Sequence, residues 1–111
     1  MKTLLKLWFG LVLVAMLGVT TWAQMQEGFL TALARIPRDP WFVATLFDTY
    51  FAFLAFFFWV CFRERSALAR AVWLVLILSL GNIAMAVYAL IQLARLQPEE
   101  DASALFARPA A

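Results

Sequence analysis

The sequence predicts an all-α fold: an integral membrane bundle of three transmembrane helices in a single domain of 111 residues. Three uncharged or nearly uncharged stretches carry that prediction. Leu7 to Gln26 and Ala71 to Ala94 hold no charged residue, and Trp41 to Phe62 holds only Asp48. At ~1.5 Å per helical residue, runs of this length match a hydrocarbon layer of ~30 Å. Hydrophobic residues make up 66% of the chain and charged residues 14%, too few to coat a soluble domain of this size. Lipid is therefore the expected outer surface and the expected first partner.

The first span is expected at about residues 5–25. Lys2 and Lys6 precede it, and Thr20, Thr21, Trp22 and Ala23 close it. A basic start, an apolar middle and small residues near position 23 also describe a cleaved secretory signal. Retention is the expectation, because the run is long enough to span and Trp22 suits an interface. Gly10, Ala15 and Gly18 further suit helix packing. Residues 26–40 form the next loop. Within it Phe29, Leu30, Leu33 and Ile36 recur at helical spacing, predicting one or two amphipathic turns on the membrane surface, ended by Pro37 and Pro40. The second span covers 41–62 and is rich in phenylalanine. A strand at Phe53 to Phe58 is rejected, since an unpaired strand cannot cross lipid. Arg63 to Arg70 is expected to form a tight polar turn, residues 71–94 the third span, and residues 95–111 a short acidic tail.

Lys2, Lys6, Arg63, Arg65 and Arg70 fall on one side of this topology, and Arg35, Arg38, Arg95 and Arg108 on the other. That small bias predicts a cytoplasmic N-terminus and an outer C-terminus in a plasma or inner membrane. The five tryptophans lie near span ends, as an aromatic belt would place them.

Asp48 is the residue that most needs an explanation, because an acid within a span costs up to ~3 kcal/mol. Thr45, Asp48, Ala52 and Ala55 share a helical face, with Thr49 beside them. A matching stripe in the third span holds Ser79, Asn82, Ala86 and Ala89. In an antiparallel pair Asn82 comes within a turn of Asp48, and Tyr88, Arg35 and Arg38 are further candidate partners. The expected polar seam is therefore Thr45, Asp48, Thr49, Ser79, Asn82 and Tyr88.

No histidine is present, and Cys61 is the only cysteine. No metal site, cofactor or disulfide is expected, and with small net charge no nucleic-acid partner. One acid with no second catalytic group gives no enzyme. Two functions remain: a structural or interaction component of a membrane assembly, as homo-oligomer or with another membrane protein, and a small proton- or cation-coupled transport or sensing protein using Asp48.

The stretch from Asp39-Pro40-Trp41 through Thr45-Leu46, Asp48, Trp59-Val60 and Arg63-Glu64, with Trp73, Leu80-Gly81-Asn82, Tyr88 and Gln92-Leu93, resembles the small membrane proteins grouped as domain of unknown function 1475. The resemblance implies a multi-pass helical protein that keeps its first span. It implies no known activity, substrate or cofactor.

Overall fold

The computed structural model describes residues 1–35 and 38–107. Expectations about Ile36, Pro37 and Arg108 lie outside the described residues. Helix α1 runs over Lys2–Gln26, α2 over Phe29–Leu33, α3 over Pro40–Arg63, α4 over Ala67–Leu80 and α5 over Asn82–Arg95, followed by a 3-10 turn at Ala102–Phe106. No strand occurs among the described residues.

Local chemistry sets most of these boundaries. Asp39 caps α3, its carboxylate accepting from the Phe42 amide at 3.2 Å, and Pro40 occupies a position where a missing N–H costs nothing. Ser66 caps α4 in the same way, accepting from the Ala69 amide at 3.3 Å. At the end of α1, the Gln24 carboxamide oxygen accepts from the Phe29 amide at 3.1 Å and joins α1 to α2. Arg35, just after α2, pairs with Glu27 at 2.9 Å. Asp101 opens the 3-10 turn by accepting from the Ser103 amide and hydroxyl.

Two helices, α1 and α3, are long and apolar enough to cross a membrane. The expected third span is corrected, because residues 71–94 are broken at Gly81 into α4 and α5, 14 residues each. Gly81 adopts φ 59 and ψ −125, a conformation open to glycine and strained for other residues. The chain then doubles back. Trp73 lies eight residues before Gly81 and Tyr88 seven after it, yet their rings are 4.9 Å apart. A continuous helix would separate them by ~22 Å.

The reversal brings α5 alongside α1, antiparallel to it, and the Lys2 amine donates to the Gln97 and Pro98 carbonyls at 3.3 Å. Both ends of the described chain therefore share one end of the bundle with the α3–α4 turn. That end is called the near end below, and the end holding α2 the far end. A continuous third span would have carried residues 95–107 to the other end of the bundle from Lys2; the reversal returns them to the same end.

The break is sealed on two sides. Tyr50 on α3 donates its hydroxyl to the Leu78 carbonyl at 3.2 Å, an acceptor that an unbroken helix would have bonded to the residue-82 amide. The Phe53 ring packs on Gly81 so closely that a Cβ there would lie 2.7 Å from its tip. Below this seal Phe53, Val60, Ile77, Ala84 and Tyr88 form the core. Helix α5 is its central element, burying Ala84, Ala86, Tyr88, Ala89, Gln92 and Leu93, whereas α1 buries no residue completely.

Gly81→Ala combines backbone strain with a collision against Phe53. It should cost roughly 2–4 kcal/mol, measured by thermal or denaturant unfolding of the purified protein. Phe53→Ala should cost less in that background than in the wild type, and a Gly81→Ala protein of unchanged stability would contradict the described turn.

Candidate functional site

The structure disperses the expected polar seam. Thr45 and Asp48 are exposed on α3 and Thr49 is half-buried. The Thr45 hydroxyl donates to the Trp41 carbonyl of its own helix at 2.9 Å. Ser79 and Asn82 flank the Gly81 turn and are both exposed. Tyr88 is fully buried at the near end, where its hydroxyl donates to the Glu64 carboxylate at 3.1 Å. The reversal at Gly81 explains this placement, since each residue after the turn descends away from the level of Asp48. Arg35 pairs with Glu27 rather than reaching Asp48.

The densest polar construction lies at the near end. Arg63, the last residue of α3, is only 2% exposed. Its Nε donates to the Gln92 side-chain oxygen at 2.9 Å. Its Nη1 is directed at the carbonyls of Ala104, Leu105 and Ala107, at 3.1, 3.2 and 2.7 Å. One turn earlier, Trp59 donates its indole N–H to the Leu105 carbonyl at 2.9 Å. The Arg63 guanidinium also lies 6.0 Å from the Trp59 ring centroid, within range of a cation–π attraction. The C-terminal 3-10 turn is thus strapped across the end of α3 by two side chains, and Leu105 is buried beneath it.

Tyr88 anchors the adjoining layer. Trp73, Trp59 and Phe56 meet its ring edge-on at 4.9, 5.5 and 6.2 Å. Arg70 Nε donates to the Glu64 carbonyl at 2.9 Å, holding the turn from which Glu64 meets Tyr88. Trp59 and Trp73, expected in an interfacial belt, are instead half-buried packing partners of Tyr88.

The oxygens that receive Arg63 all belong to amides, so this is a charge held by dipoles. Arginine keeps its proton across the physiological range, and a guanidinium satisfied in this way serves as a clamp rather than an acid or base. No group of three or more metal-ligating side chains occurs among the described residues. The sequence does not reveal the clamp directly, since Arg63 follows an apolar span where a flanking charge is ordinary. A signal for it does exist: Trp59 and Arg63 are one turn apart on α3, and Tyr88 and Gln92 one turn apart on α5.

These features define an all-helical protein with two long apolar helices, a glycine-turned helical hairpin and a strapped C-terminal segment. The chain belongs to the family described as protein of unknown function DUF1475, whose model matches residues 4–105, from the first turn of α1 to the strapped Leu105. No curated protein and no solved structure matches it.

Arg63→Ala removes the donor to several buried acceptors at once and should cost about 2–4 kcal/mol. Hydrogen exchange should locate the damage, with protection lost at the amides of residues 102–107 while α3 remains protected. Adding Gln92→Ala to that variant should cost little more, because the two side chains act as one unit.

Proposed function

We propose that the protein is integral to a membrane, with α1 and α3 as spans and α4–α5 as a hairpin entering partway, and that it serves as an interaction component of a membrane assembly. The observation that carries this reading is the state of Asp48. It lies eight residues into α3, ~12 Å along the helix, on an exposed face with Thr45, Ala52 and Ala55. No hydrogen bond or ion pair joins its carboxylate to another described side chain or backbone group. An acid facing acyl chains at such depth costs about 2.5–3.5 kcal/mol, and two exposed alanines beside it leave room for a second helix to approach. A neighbouring membrane chain that covers this face and donates to Asp48 removes the cost.

The hairpin supports membrane placement in two ways. Each arm is ~21 Å long, short of the hydrocarbon thickness, so the tip must end inside. Irregular backbone is tolerated there only when shielded, and Gly81 is buried while Tyr50 satisfies the Leu78 carbonyl. The reversal also sharpens the charge bias. Lys2, Lys6, Arg63, Arg65, Arg70 and Arg95 belong to the near end, against Arg35 and Arg38 at the far end among the described residues. The near end, carrying both ends of the described chain, is therefore assigned to the cytoplasm.

The alternative is proton- or cation-coupled transport or sensing through Asp48, favoured by the same unpaired carboxylate. Neither reading requires catalysis, and no second titratable group is placed beside Asp48 among the described residues.

Crosslinking from a cysteine placed at Ala52 or Ala55, with Cys61→Ser, should trap a second chain in native membranes. Asp48→Leu should abolish that product and lower membrane abundance several-fold, while Asp48→Asn should retain much of both. Absence of crosslinked species, with normal abundance of Asp48→Leu, would sink the interaction reading. Loss of ion flux in Asp48→Asn at normal abundance would favour transport. Reporters fused to the two termini should appear in the same compartment.

A further inference from the structure

The far end holds two clefts that the Asp48 face does not use. One, of about 400 Å³, is lined by Ala32, Arg35, Arg38, Asp39 and Phe42. The other, of about 430 Å³, lies between the end of α1, α2 and Ser79 at the hairpin turn, and it includes Glu27 and Phe29. Ala32 and Arg35 line both, so the last turn of α2 is the wall between them.

The level of these clefts follows from the tryptophans. Trp22 near the end of α1 is 62% exposed and Trp41 in the first turn of α3 is 82% exposed. Side chains of this type, apolar with one polar edge, mark the headgroup layer when they flank spans. Phe29, Leu30 and Phe42 are also exposed around the same corner. A site here meets phosphate groups above and acyl chains below.

We propose that this corner binds the phosphate diester of a glycerophospholipid, held by Arg35 and Arg38 with its acyl chains along Phe42 and Leu30. The inference rests on the membrane placement proposed above. Guanidinium forks match phosphate oxygens in geometry and charge, and a cleft of this volume admits one headgroup. Asp39 does not oppose the ligand strongly, because its carboxylate caps the Phe42 amide at the positive end of α3. Glu27 does oppose it: at 2.9 Å it holds Arg35 and competes with phosphate for the same guanidinium. With Glu27 and Asp39 balancing the two arginines, the corner suits a singly charged diester rather than a polyanion.

The full-length protein, purified in detergent with added phosphatidylglycerol, is examined by native mass spectrometry for retained lipid, and circular dichroism verifies folding of each variant. Arg35→Gln/Arg38→Gln should lower retention about fivefold or more. Glu27→Gln should raise it about twofold by releasing Arg35, an increase that a merely structural ion pair would not produce. Lys2→Gln/Lys6→Gln, at the opposite end, should leave it unchanged. Equal retention by the arginine variant, reduced retention by Glu27→Gln, or displacement of lipid by millimolar inorganic phosphate would overturn the site, the last revealing a free-anion site. Alkaline carbonate extraction separates the two failures. Release of wild-type protein from membranes removes the membrane placement and the lipid site together, whereas a membrane-retained protein with unchanged lipid binding in the arginine variant removes the site alone.

Discussion

The reversal at Gly81 is the constraint on which the rest of the structure depends. Had residues 71–94 continued as one helix, Tyr88 and Gln92 would lie far from Trp59 and Arg63, and the tail would leave from the opposite end. Glycine makes the turn accessible, Phe53 fills the space that a side chain would need, and Tyr50 bonds the carbonyl that the break exposes. One of these contributions comes from the junction of α4 and α5 and two from α3, which is remote from it in sequence. The turn is therefore a tertiary feature, enforced by α3, and the C-terminal end of α3 is in turn closed by what the turn delivers to it.

The two ends of the bundle differ in how tightly they are built. At the near end, aromatic edges converge on Tyr88, and Arg63 gathers oxygens from α5 and from the C-terminal segment. At the far end, α2 is five residues long and stands between two open clefts. Local stability follows the density of buried contacts and satisfied hydrogen bonds, so the near end is the rigid foundation and the far end the adaptable one. Helix α1 lies along α5 yet buries no residue completely.

Much of the chain was legible in the sequence. The two long helices follow from uninterrupted hydropathy, and the start of α3 from Asp39-Pro40, a capping acid before a proline. Asp48 was recognised as anomalous from its surroundings alone. The third span failed because hydropathy does not fall across Leu80-Gly81-Asn82, and a single glycine in an apolar run commonly stays helical. What turned the chain was Phe53, 28 residues earlier, whose contact with Gly81 no local pattern encodes. Errors downstream then shared one cause. A straight helix through the turn puts Tyr88 at the wrong depth and Arg95 at the other end of the bundle, and it leaves Trp59 and Trp73 at an interface rather than against Tyr88. The Arg63 clamp is only partly legible, through the one-turn spacings of Trp59–Arg63 and Tyr88–Gln92, because most of its acceptors are backbone carbonyls, which every sequence possesses.

Arg63 and Asp48 show how this chain treats charge within α3. Both project from the same apolar helix, and each would be costly if left bare in a medium of low polarity. For Arg63 the fold answers internally, bringing a glutamine from α5 and carbonyls from the C-terminal turn until the guanidinium is almost wholly enclosed. For Asp48 no described residue supplies a partner to the carboxylate, and Ala52 and Ala55 leave the adjoining surface open. A chain that arranges three separate elements around one ion has the means to enclose another. On the interaction reading proposed above, the exposed acid in so apolar a helix is half of a contact, and a second chain against α3 carries the other half.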